Sequence, residues 1–158
     1  MAVITATRAA AGFPVSGHGF ASNLKVAWGT VTVSADPAPN DYYEMCKVPR
    51  GATVLGGYLQ AGDIDTDASE TLDIDVGWLA NGDEVADLDG FGNFGILIGD
   101  AVALVRPEVG SYLPLGGVLF TAGPKTFNAE TVIVANVIDD AATLTAGPLT
   151  VVVFYVMS

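Results

Sequence analysis

The chain has 158 residues, of which 51% are hydrophobic and only 15% charged, and its 18 acids against 6 bases leave a net charge of −12. This composition excludes a disordered chain and fits one domain with a real core. It also excludes a nucleic-acid partner, because phosphate binding needs clustered Lys and Arg, whereas Arg8, Lys25, Lys47, Arg50, Arg106 and Lys125 are scattered.

No apolar run reaches the roughly 18 residues of a membrane span, and "MAVITATRAAAGFPVSG" lacks the basic cluster and apolar core of a signal peptide. With Cys46 as the single cysteine, an internal disulfide is impossible, and its place in "YYEMCKV" reads as a reduced packing residue. No Asn-x-Ser/Thr site occurs, which fits synthesis in a bacterial cytoplasm.

In chain order, residues 1–23 are rich in Ala, Gly, Ser and Thr, lack a steady period and carry no acid. They read as an N-terminal arm, and residues 24–158 as the folded domain. "KVAWGTVTV" predicts a strand, closed by the turn-forming "DPAPND". "YYEMCKV" and "TVLGGYLQ" are strands separated by "PRGA". "ETLDIDVGWL" alternates, with Leu72, Ile74, Val76 and Trp78 on an inner face and Thr71, Asp73 and Asp75 facing water. "NGDEVADLDGFGN" predicts a long loop with one helical turn. "FGILI", "AVALV", "SYLPLGGVLF", "ETVIVANVI" and "PLTVVVFYVM" predict further short strands.

Eight or nine strands at short spacing, with no amphipathic helix, predict an all-β, jelly-roll-like antiparallel β-sandwich. The last two strands are apolar on both faces, where a sandwich strand normally has one wet face. The second cover is expected from a neighbouring subunit, with Val152, Phe154 and Val156 at the interface.

Asp63–Val76, "DIDTDASETLDIDV", holds six acids and no base. It opens like an EF-hand loop, but position 6 is Ala68 and position 12 Ile74, where such a loop needs Gly and a bidentate Glu. The stretch reads as a solvated turn followed by the outer face of a strand. A weaker calcium site from Asp63, Asp65, Asp67 and Glu70 remains as the alternative. No metal and no cofactor are expected. Nothing selects two carboxylates for glycoside hydrolysis. The single histidine, His18, lies in the arm, poorly placed for a catalytic triad. Catalysis is not expected.

The run "YYEMCKVPRGATVLGGYLQAGDIDTDASETLDIDVGW", followed by "NGDEVADLDGFGNFG" and "LPLGGVLFTAGPKTF", resembles a pattern of small structural proteins of tailed-phage heads. The similarity covers roughly residues 42 to 156 and consists of turn and strand motifs.

The resemblance implies a jelly-roll capsid decoration or cement protein on the outside of a phage head. A head-fibre base or tail component is the alternative within that class, and a carbohydrate-binding or calcium-dependent lectin-like module the alternative outside it. It further implies the major capsid protein as partner, a homo-oligomer with a trimer favoured, and neither nucleic acid nor membrane. The acid-free arm, with Arg8, Phe13, His18 and Phe20, is the expected capsid contact.

Overall fold

A computed structural model describes residues 3–5, 10, 24–97 and 111–157. Its described elements are β1 (Val3–Thr5), β2 (Lys25–Val33), β3 (Tyr42–Val48), β4 (Ala52–Ala61), β5 (Asp73–Trp78), β6 (Asp87–Gly92), β7 (Ser111–Pro114), the helical turn α1 (Val118–Thr121), β8 (Lys125–Thr126), β9 (Thr131–Asp139) and β10 (Gly147–Met157). Sheet I runs β1-β3-β9-β5-β6, and sheet II runs β2-β10-β4-β7 with β8 also on β4. From β2 to β4 the chain changes sheet at every strand, and β9 and β10 pair into opposite sheets. That is the winding of a jelly roll. All pairs are antiparallel except the short β1–β3 edge pair, which is parallel.

The inner faces follow the period-2 rule. Ala27, Val31 and Val33 of β2, Val54, Leu59 and Ala61 of β4, and Leu149, Val151, Val153 and Tyr155 of β10 meet Tyr43, Met45 and Val48 of β3, Ile74, Val76 and Trp78 of β5, and Ile133, Ala135 and Val137 of β9. Trp78 contacts Phe91 and Phe127 edge-on, at ring separations of 5.0 and 5.4 Å. Cys46 is buried within this core. The sheets approach closely where Gly29 lies against the Met45 carbonyl: a Cβ there would sit 1.8 Å from that oxygen.

Three predicted elements differ. "DLDGFG" forms strand β6 rather than part of a loop, because Asp87 and Gly92 pair with Trp78 and Val76 through a bulge that breaks the alternation. "SYLPLGGVLF" stops as a strand at Pro114. Gly117, at φ 55°, turns the chain into α1. Among the described residues of "FGILI", Ile96 forms a single bridge, to Asp73, and "AVALV" lies outside the described residues. β1 is a strand that the sequence pattern did not show, within the segment read as an arm. The remaining expected strands form within three residues of their predicted bounds, the largest offset being β5, which starts at Asp73 rather than Glu70.

Candidate interaction surface

The outward face of sheet II is built by register. Trp28, Val152, Tyr58 and Pro114 form one cross-strand row, Val26, Phe154 and Gly56 the next, and Thr30, Thr150, Gln60 and Tyr112 a third. Tyr58 stacks near Tyr112 (4.7 Å) and Phe154 (6.1 Å). Val26, Trp28 and Tyr112 are 43%, 42% and 58% exposed, and Leu55, which the β4–β10 bulge pushes outward, is 46% exposed. Phe154 and Val156 are half-buried, while Val152 is nearly covered by its row neighbours. All three expected interface residues therefore share one face, with Val26, Trp28, Tyr58 and Tyr112 as members that single-strand periodicity missed. No strand of sheet II contains an acid. The face is apolar and aromatic, with Thr and Gln at its flank.

The companion strand, β9, finds cover within its own chain, contrary to the expectation of an open second face. Its outward Val134 is fully buried. Val134 pairs with Gly77, and a Cβ on Gly77 would lie 2.0 Å from the Asp87 carbonyl. The start of β6 thus crosses over the outside of sheet I, and only glycine at 77 leaves it room.

The acidic stretch is not a solvated turn. Asp65 is 2% exposed. Its Oδ1 accepts the backbone N–H of Asp67 (3.3 Å) and Thr143 (2.9 Å), and its Oδ2 those of Thr71 (2.8 Å), Leu72 (3.2 Å) and Ala142 (3.0 Å). Burial opposes its charge, yet the N–H groups of Thr71, Thr143, Ala142 and Leu72 outweigh burial and hold the carboxyl below its ordinary value. The physical reason is that two distant loops converge with unpaired N–H groups, and one carboxylate satisfies them all. Thr145 N–H to the Ile64 carbonyl (2.7 Å) and Thr143 Oγ1 to Asp67 Oδ2 (3.1 Å) complete this clasp. Asp63 and Glu70 are half-buried beside it. Among the described residues, no group of three His, Cys, Asp or Glu side chains is placed to hold a metal.

Nor do Asp73 and Asp75 both face water. Asp75 is 1% exposed and Asp73 half-buried. The segment after β6 runs back over them: Phe94 N–H donates to Asp75 Oδ1 (3.3 Å), Ile96 bridges Asp73, and Leu97 N–H reaches the Leu72 carbonyl (2.7 Å). Burial, then the neighbouring charge of Asp139, raises the carboxyl of Asp73. At the other end of the sandwich, Lys125 pairs with Glu84 and sits over Trp78 and Phe127. Arg8, Phe13, His18 and Phe20 lie outside the described residues.

No family model and no curated protein matches the sequence. Among solved structures, a chain of the capsid asymmetric unit of cyanophage Pam1 is 26% identical, with 92% of each chain covered and a TM-score of 0.65. A chain from the capsid of Ralstonia phage GP4 is 17% identical over 99% of each chain, with a TM-score of 0.74. A chain from the capsid of Helicobacter pylori bacteriophage KHP30 is 19% identical, covering 88% of this chain and 92% of that one, with a TM-score of 0.59. The likeness to phage head proteins read from the sequence thus meets chains of phage capsid structures, and the jelly-roll sandwich described above is a fold those capsids contain.

Proposed function

We propose that this chain is a virion structural protein without enzymatic activity, a decoration or cement protein bound to the outside of a phage head. The observation that carries this reading is its likeness, along nearly the whole of both chains, to a chain of a phage capsid asymmetric unit at 26% identity.

The surface chemistry supports it. A chain with net charge −12 associates with its own kind most readily where it has least charge, and sheet II is acid-free and aromatic outside. That face, with Val152, Phe154 and Val156, joins copies into a homo-oligomer, a trimer being the favoured form. Residues 1–23 then act as an arm on the sandwich of residues 24–158, and reach the major capsid protein through Arg8, Phe13, His18 and Phe20. The exposed acids, Asp83, Asp89, Asp139 and Asp140 among them, keep the particle soluble.

A lectin-like role would place aromatic residues in a groove beside the Asp63–Glu70 loop. The aromatics instead lie on an open sheet face, and Asp65 spends both oxygens on backbone N–H groups. Light scattering and co-sedimentation with heads lacking this chain test the proposal. More than one chain per particle and saturable binding are expected. Removing residues 1–22 should leave a folded oligomer that no longer binds heads. A full-length chain that fails to co-sediment with heads would defeat the decoration role, and a clean monomer would defeat the interface.

A further inference from the structure

A second feature of the molecule lies on the opposite sheet and does not depend on the virion role. Asp75 of β5 and Asn136 of β9 are direct cross-strand partners, so their side chains leave the same, outward face of sheet I at neighbouring positions. Both are buried, at 1% and 6% exposure. Among the described residues, none donates a hydrogen bond to the amide oxygen of Asn136. An orphaned buried acceptor is costly, and one facing a buried carboxyl has an obvious remedy.

We propose that Asp75 and Asn136 form a proton-dependent latch between β5 and β9: protonated Asp75 donates its carboxyl O–H to the Asn136 amide oxygen, so that mild acid tightens sheet I. The proton comes from solvent and returns to it. Every described group facing Asp75 favours the neutral form except one. Asp73 adjoins it on β5, Asp89 approaches from β6, and Asp139 lies beyond Asp73 on β9. Tyr42 of β3 flanks Asn136 on its far side. The Phe94 N–H, from the segment crossing over the face, alone favours the anion. The described cations Lys25, Lys47, Arg50 and Lys125 belong to the other end of the sandwich, level with Tyr155, Val132, Pro49 and Val54. Burial first, then the charge of Asp73, pushes the Asp75 carboxyl up to about 6 from 3.8.

A carboxyl raised in the folded state binds its proton more tightly there than in the unfolded chain. Stability therefore rises as pH falls through about 6, and the gain is complete near 3.8. From this one group, the unfolding equilibrium constant should be about tenfold smaller at pH 5 than at pH 8.

The test is a carbon-13 carboxyl titration of the full chain, with melts at pH 8 and pH 5. A midpoint near 6 for Asp75, falling towards the ordinary carboxylate value in Asn136→Ala, is expected. Asp75→Asn, whose amide donates at every pH, should melt at or above wild type at pH 8 and show a smaller pH dependence. A wild-type midpoint near 4 would overturn the latch, as would a midpoint indifferent to Asn136→Ala. If Asn136→Ala does not fold, the wild-type midpoint and Asp75→Asn decide. Calcium chloride at pH 8 raising the melting temperature more than the shift to pH 5 would also overturn it, showing that the carboxylates and Asn136 serve a cation and not a proton.

Discussion

The two sheets solve the same packing problem with opposite chemistry outside. Sheet I carries six acids, Glu44, Asp73, Asp75, Asp87, Asp89 and Asp139, while sheet II carries none. Sheet I covers its own outward face with the start of β6 and with residues 93–97, and must then accommodate carboxyl groups beneath that cover. Sheet II has no such cover among the described residues, and its outward face carries Trp28, Tyr58, Tyr112 and Phe154. Net charge thus says little about where a protein is sticky. A chain of net charge −12 hides part of its negative charge on one side and keeps the other free of acids for contact.

The sharpest way to break this comparison is to remove the buried acid that the loops at the sheet I end depend on. Asp65→Ala leaves five backbone N–H groups without their acceptor, and should cost about 3–5 kcal/mol in chemical denaturation. A loss under about 1 kcal/mol would show that water replaces the carboxylate and that the clasp is incidental.

Next, Gly29→Ala on the inner face of sheet II should cost about 2–3 kcal/mol by overpacking against the Met45 backbone. Gly56→Ala, on the outer face with nothing within 4 Å, should stay within about 0.5 kcal/mol. Equal effects would mean the two faces are not differently packed.

Trp28→Glu should weaken self-association at least about tenfold in analytical ultracentrifugation while changing the melting temperature of the separated subunit little. An unchanged sedimentation profile would move the interface elsewhere.

Thermal stability against pH sharpens the comparison further, since it reads sheet I and its loops alone. The raised carboxyls of Asp73 and Asp75 make stability increase as pH falls from neutral. Asp65 is held below its ordinary value, so its contribution is present above the unfolded value and disappears as pH falls through the folded one. Melts should therefore peak in mild acid and collapse in strong acid, where a flat profile would argue against buried charge in sheet I. The smallest effect is expected from Glu130→Gln, which removes the Lys47–Glu130 bridge (3.3 Å). Glu130 is 52% exposed in that pair, so the change should lie within about 0.5 kcal/mol.

The sequence by itself determined the class of fold and most of its strands. "KVAWGTVTV" and "YYEMCKV" fold as strands over the predicted residues, because alternating β-branched and aromatic residues between turn formers have few other ways to bury one side. It also determined that Val152, Phe154 and Val156 share a face, since that follows from period 2 alone. Where a local rule was interrupted, as by the acids of "DLDGFG" or the apolar run of "VLFT", the elements β6 and α1 were misread.

Only the tertiary structure decided what those faces meet. Asp65 and Asp75 look like solvated carboxylates until residues 142–143 and 94–97 arrive over them. Val134 and Val152 look alike until β6 crosses one and leaves the neighbourhood of the other open. Burial and pairing of this kind depend on segments 19 to 78 residues away, about which a short window of sequence carries no information, whereas side-chain alternation is a property of each strand's own backbone.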